Sequence, residues 1–94
     1  MTRIMIVHEV EDGDRWAKAW KAGPGSRQEL VRQAGVTSAQ TFLDPQNPNL
    51  RGLLIDANDV AKFQAFLQSG EAVTAMGEDG VKADTIRMLT DFTP

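Results

Sequence analysis

From Arg3 to Val10 the chain reads Arg-Ile-Met-Ile-Val-His-Glu-Val, and no other stretch constrains its fold as tightly. Ile4, Ile6, Val7 and Val10 are β-branched and favour an extended backbone. Alternate side chains leave a strand on opposite faces, so Ile4, Ile6, His8 and Val10 share one face while Met5, Val7 and Glu9 share the other. A strand with one wet face alternates apolar and polar residues, whereas apolar residues in both directions mean that both faces are covered. Ninety-four residues make one domain, residues 1–94, and a domain of this size buries only about 60–65% of the surface that its unfolded chain exposes. Its own helices can cover one side of a small sheet. The other side requires something further, for which oligomerisation is the natural supplement.

The remaining elements follow from spacing and breakers. Glu11, Asp12 and Asp14 stand where a helix begins, since carboxylates there cap free N–H groups and complement the positive end of the helix dipole. Trp16 and Trp20, four apart, form a bulky apolar stripe with Ala17, leaving Arg15, Lys18 and Lys21 toward water. Gly23-Pro24-Gly25 interrupts the helix. Ser26-Arg27-Gln28-Glu29 restarts it with capping-box spacing, Leu30, Val31 and Ala34 supply its stripe, and Gly35 ends it. A second strand is expected over Val36 to Leu43, with Val36, Ser38, Gln40 and Phe42 on one face and Thr37, Ala39, Thr41 and Leu43 on the other. Asp44-Pro45-Gln46-Asn47-Pro48-Asn49 reads as a hairpin loop. Leu50 to Ile55 is the third strand, apolar on both faces. Asp56 or Asn58 is expected to cap a helix in which Val60, Phe63, Phe66 and Leu67 recur at helical spacing up to Ser69-Gly70. A short helical turn from Glu71 to Met76, a loop from Gly77 to Gly80 and a last strand over about Thr85 to Thr90 complete the chain, with Ile86 and Met88 opposite Arg87 and Leu89.

Strand, helix, strand, strand, helix, strand is the split βαβ, or ferredoxin-like, arrangement of an α+β fold. Right-handed crossovers then give a four-stranded antiparallel sheet in the order 4-1-3-2 with the helices on one face. The strands expected at the centre are those apolar in both directions, which leaves the bare face of the sheet in need of a partner.

Several runs carry a resemblance. His8-Glu9-Val10-Glu11-Asp12 with Arg15-Trp16, then Asp44-Pro45-Gln46-Asn47-Pro48-Asn49 before an apolar strand, then Asn58-Asp59-Val60 opening a helix that ends in Phe66-Leu67-Gln68-Ser69, resemble the dimeric α+β barrel proteins. Nearly the whole chain is similar to the antibiotic-biosynthesis-monooxygenase-like branch and its small single-domain relatives. The resemblance implies a homodimer in which two sheets meet face to face, with a cavity in each subunit between sheet and helices or at the mouth of the barrel. Members include cofactor-independent monooxygenases acting on polycyclic aromatics, haem-degrading enzymes, small isomerases and lyases, and proteins with no known reaction. The chain departs from these branches in places. Its sole histidine lies on a strand rather than a helix, so no haem ligand carries over; it has no tyrosine; and Gly13 stands where relatives commonly have an aromatic residue.

Composition removes other classes. A net charge of −3 with ten Lys and Arg, none of them forming a stripe, argues against nucleic acid and against an anionic membrane surface. The absence of cysteine excludes disulfides and thiolate chemistry and suits a reduced cytosol. No apolar run is long enough for a membrane span, so a cytoplasmic address is expected, with no cofactor.

The candidate site residues each carry two readings. His8 titrates near neutrality and suits a general acid or base in a cavity; alternatively it is a strand histidine bonded to a neighbour. His8, Glu9, Glu11, Asp12 and Asp14 contain donors for a metal, but strand alternation points them apart, and no metal is expected. Gly23-Pro24-Gly25-Ser26-Arg27 resembles an anion cradle at a helix N-terminus but lacks the P-loop Lys-Ser/Thr pair; it reads as a helix break, or else a mobile lid. Trp16 and Trp20 either stack on a flat ligand or belong to the core. Arg87, in the middle of a strand, lines a wet cavity, forms an intersubunit ion pair with Glu9, or is an exposed edge-strand charge. With Gln40, Phe42 and Phe63, these residues outline a small homodimeric protein binding an apolar or aromatic molecule near Trp16, Trp20, Phe42 and Phe63. The alternative is a cofactor-independent monooxygenase- or isomerase-like enzyme using His8 as acid or base.

Overall fold

The computed structural model describes residues 2–94. Strands β1 (Thr2–Glu9), β2 (Val36–Asp44), β3 (Asn47–Ala57) and β4 (Arg87–Thr90) form one antiparallel sheet, in the order β2-β3-β1-β4. This is the expected order read from the opposite edge, and the fold is ferredoxin-like. Helices α1 (Gly13–Trp20), α2 (Arg27–Arg32), α3 (Val60–Leu67) and α4 (Gly70–Glu78) join the strands, with a 3₁₀ turn at Ala83–Thr85 before β4.

Cross-strand pairing explains why the two apolar faces of β1 have different fates. Ile4 pairs with Ile55 and Ile6 with Leu53; these four are buried against Trp16, Val31 and Phe63 from the helices. Met5 and Val7 pair with Leu54 and Gly52 on one side and with Leu89 and Arg87 on the other. They lie on the face that no helix covers. Met5, Val7, Phe42 and Leu89 there are 47, 37, 47 and 62% exposed. The expected half-covered sheet is what the single chain adopts.

Four local expectations are corrected. The faces of β2 do not run through unbroken, because a register shift lies between Val36 and Ser38. Val36 pairs with buried Ala57 and Ala39 with Ile55, whereas Phe42 pairs with Gly52 on the open face, so Val36 and Phe42 point to opposite sides; a bulge inverts the alternation downstream of it. The loop expected over 44–49 contracts to a turn at Pro45–Gln46, as the Asp44 carboxylate accepts from the Gln46 N–H at 2.9 Å, which lets β3 start at Asn47. Neither Asp56 nor Asn58 caps α3: Asp56 stays in β3, accepting from the Ser38 hydroxyl at 2.8 Å, and Asp59 caps the helix through the Lys62 N–H. The turn expected from Glu71 to Met76 is the longer α4, which Ser69 caps through the Ala72 N–H.

Elsewhere, capping chemistry sets the helix ends as expected. Asp12 accepts from the N–H groups of Asp14 and Arg15. Ser26 accepts from the Glu29 N–H, and between α1 and α2 Gly23 and Gly25 take positive φ, a backbone that L side chains rarely adopt.

Candidate functional site

Between the helix-facing side of the sheet and the helices lies a cavity of about 170 Å³. Ile6 and Leu53 form its floor, Phe63 and Leu30 its walls, and Met88 closes it from β4. Its lining is almost wholly apolar, with three polar exceptions: His8 of β1, and Arg27 and Asp79 from α2 and the end of α4.

His8 reaches the cavity because it continues the Ile4, Ile6 face of β1, and strand alternation leaves it no other direction. It is 5% exposed, and Trp16 beside it is 1% exposed. The two rings meet edge to face, centroids 5.6 Å apart and planes at 75°, a favourable arrangement for aromatic quadrupoles. Trp20 lies against Trp16 with centroids 5.8 Å apart, and the Arg51 guanidinium sits 5.7 Å from the Trp16 ring centroid. Two nitrogens in this cluster, His8 Nδ1 and Trp16 Nε1, are buried without a hydrogen-bond partner among the described residues. Buried polar atoms are almost always paired, so two such atoms on neighbouring residues that both line the cavity are unusual.

Burial lowers the His8 pKa below the ordinary histidine value, with a smaller opposing pull from its own backbone. That backbone contact does not form a hydrogen bond of acceptable geometry at Nδ1. Burial thus favours the neutral imidazole over the charged one.

The position of α1, and with it Trp16, is dictated by the β2–β3 hairpin. The Asn49 carbonyl accepts from the Val10 N–H at 2.8 Å and the Asn49 side chain from the Gly13 N–H at 3.0 Å. Arg51 Nε donates to the Pro48 carbonyl at 2.7 Å. A Cβ on Gly13 would collide with that same carbonyl and with the Arg51 guanidinium, so a larger side chain does not fit here without a shift of the hairpin.

The sequence candidates fall into two groups. His8, Trp16, Trp20 and Phe63 all border the cavity. Gln40, Phe42 and Arg87 do not: Gln40 pairs with Leu54, Phe42 with Gly52, and Arg87 with Val7, all on the open face of the sheet. Phe42 also borders a shallow cleft between α1 and β2, together with Trp16 and Trp20. Arg87 donates to the carbonyls of Asp84 and Ile86 in its own chain, at 3.3 and 2.8 Å. Among the described residues no group of three His, Cys, Asp or Glu side chains gathers to hold a metal ion, and no helix is long and apolar enough to cross a membrane.

Sequence reasoning missed Arg27 and Asp79. Arg27 Nε and Nη2 donate to the two Asp79 oxygens at 2.8 and 2.9 Å, and Nη2 also reaches Glu78 at 3.1 Å. These carboxylates raise the Arg27 pKa further, the Asp79 hydrogen bond contributing most. In the sequence Arg27 stands at the end of a Gly-Pro-Gly break and Asp79 in the loop from Gly77 to Gly80. No local signal joins residues so far apart in the chain.

No protein-family model matches the chain, and no curated protein matches it in sequence. Solved structures do. An antibiotic biosynthesis monooxygenase superposes with a TM-score of 0.70 over 100% of both chains at 12% identity. A protein provisionally named as another such monooxygenase, from Bordetella bronchiseptica, gives 0.69 over 99% of this chain and 96% of its own at 15% identity. A dimeric ferredoxin-like protein of unknown function from Jannaschia sp. CCS1 gives 0.63 over 99% and 100% at 17% identity. At these identities the likeness is one of fold.

Proposed function

Proceeding from the ferredoxin-like fold that the chain shares with antibiotic-biosynthesis-monooxygenase-like proteins, we propose that it is a homodimeric protein holding a small apolar or aromatic molecule between its sheet and helices. The observation that carries the reading is the apolar cavity of about 170 Å³ bordered by two buried nitrogens without partners. An apolar wall with a few convergent polar groups is the usual make-up of a small-molecule site. Desolvated polar atoms cost free energy unless something pairs with them.

The second copy is proposed for the open sheet face. Two adjacent cross-strand rows, Gln40-Leu54-Met5-Leu89 and Phe42-Gly52-Val7-Arg87, put a contiguous apolar patch on the surface with polar residues at its ends. Such patches mark association sites, and a two-fold pairing sets the same patch against itself. The fold neighbour described as dimeric supports this choice of occupant. Light scattering tests it: a particle of twice 10.3 kDa is expected. For the cavity, saturating small aromatic compounds such as toluene are expected to raise the unfolding temperature, and a temperature unchanged by all of them would remove the ligand-binding reading.

An enzymatic reading has one observation in its favour, the buried His8 imidazole on the cavity lining, whose neutral form burial favours. A base in this position takes a proton from a bound substrate without first losing one to water. A folded His8→Ala protein that turns over a candidate substrate at the wild-type rate would remove His8 from the chemistry.

A further inference from the structure

The two unpartnered nitrogens specify a ligand more narrowly than an apolar cavity alone. Trp16 Nε1 is a donor only, whereas His8 Nδ1 in a neutral ring is a donor or an acceptor depending on the tautomer. A hydroxyl both donates and accepts, so it pairs with the indole N–H and with either histidine tautomer. A carbonyl satisfies only one of the two tautomers. The two rings are neighbours, their centroids 5.6 Å apart, so one small polar group beside them can serve both side chains.

Charge and volume narrow it again. Among the described residues Arg27 is the one cation on the cavity wall, and it is engaged by Asp79 and Glu78. An anionic ligand would therefore lose its hydration without gaining a free partner. A cavity of about 170 Å³ is close to the roughly 150 Å³ that takes up benzene in an engineered apolar core. A single ring is the occupant this size matches most directly.

We propose that the occupant is a neutral single-ring alcohol of the phenol type, its ring among Leu53, Phe63 and Met88 and its hydroxyl between Trp16 Nε1 and His8 Nδ1. This rests on the ligand-binding reading above and adds the chemical class. Trp16 and His8 are then specificity-determining residues, and the surrounding apolar side chains set the size limit.

The test is a binding panel on the full chain, read by calorimetry and by the indole N–H resonances of ¹⁵N-labelled protein. The probes are toluene, phenol, benzaldehyde and 1-naphthol. Phenol is expected to bind about 10-fold more tightly than toluene, the sum of two ordinary net hydrogen bonds. It should shift the Trp16 Nε1–H resonance while leaving that of Trp20 in place. Benzaldehyde and 1-naphthol should bind more weakly than phenol. In Trp16→Phe the phenol-to-toluene ratio should fall toward 1 whatever happens to the toluene affinity itself, and the resonance readout in the wild type decides the matter should that variant not fold. Toluene binding as tightly as phenol, with an unmoved Trp16 resonance, would overturn the hydroxyl assignment and leave the cavity reading standing. Tighter binding of 1-naphthol would overturn the size limit, and tighter binding of benzaldehyde the choice of a hydroxyl. Failure of all four probes would overturn both this inference and the reading beneath it.

Discussion

Arg27 and Asp79, 52 positions apart in sequence, meet through two parallel hydrogen bonds of 2.8 and 2.9 Å and so clasp α2 to the end of α4. The Asp79 side chain is 8% exposed and that of Arg27 is 19% exposed, which places the pair well inside the surface. Both residues border the cavity, so the clasp holds together two of the helices that roof it. A bidentate guanidinium–carboxylate pair is both stronger and more directional than a single contact.

Asp79→Asn should therefore destabilise the fold by about 1–3 kcal/mol, because it strips the charge from a mostly buried partner and leaves the guanidinium imperfectly paired. Arg27→Lys should cost something as well, since an ammonium cannot reproduce the fork. Urea unfolding measures both. A loss below about 0.5 kcal/mol for Asp79→Asn would put the pair among ordinary surface ion pairs and deny it a structural role.

Gly13→Ala tests the packing of α1 on the hairpin. At a typical helical position this change is stabilising by up to about 1 kcal/mol. Here the new Cβ meets the Pro48 carbonyl and the Arg51 guanidinium, and overpacking costs about 1–3 kcal/mol. The variant should melt below the wild type. A higher melting temperature would mean that the hairpin yields readily.

His8 gives the stability a pH dependence whose sign follows from burial. Its folded pKa is lowered from 6.5, so below that value the unfolded chain binds the proton more readily than the folded one. Stability is then at its full value above about pH 6.5 and is lost as the pH falls from there toward and through the folded pKa. Asp56, held low chiefly by the Ser38 hydroxyl and also by Arg3, titrates in a more acidic range. Denaturant unfolding at about pH 7.5 and 5.5 should show a steeper decline for the wild type than for His8→Leu. Equal declines would contradict the burial of His8.

The open sheet face predicts that Met5→Glu behaves differently in one copy and in two. Met5 is 47% exposed in a single chain, where a carboxylate on the open face costs at most about 0.5 kcal/mol. Between two sheets the same carboxylate is buried without a partner, at a cost of several kcal/mol. Light scattering should give half the wild-type mass while the monomer stays folded by circular dichroism. A wild-type protein that is already a 10.3 kDa particle at every concentration would remove the dimer.

Much of the fold was legible because it rests on local rules. The period-two pattern of Ile4, Ile6, Met5 and Val7 revealed a central strand, the Gly23-Pro24-Gly25 break separated two helical segments, and the strand–helix order gave the sheet order. The grouping of His8, Trp16, Trp20 and Phe63 was accessible in the same way, since strand alternation and helical spacing both point them inward. Phe42 was misplaced for a reason no periodicity can supply: the bulge after Val36 is one extra residue in β2 relative to β3, and it inverts every side chain beyond it.

What the amino-acid order determined by itself was therefore the set of elements, their turns and caps, and the two-sided greasiness of the inner strands, because these depend on neighbours within a few residues. Only the tertiary structure decided which residues meet. Arg27 finding Asp79, Gly13 making room for Arg51, and the unpartnered nitrogens of His8 and Trp16 at one cavity all join distant positions through register and packing, which leave no trace in local spacing.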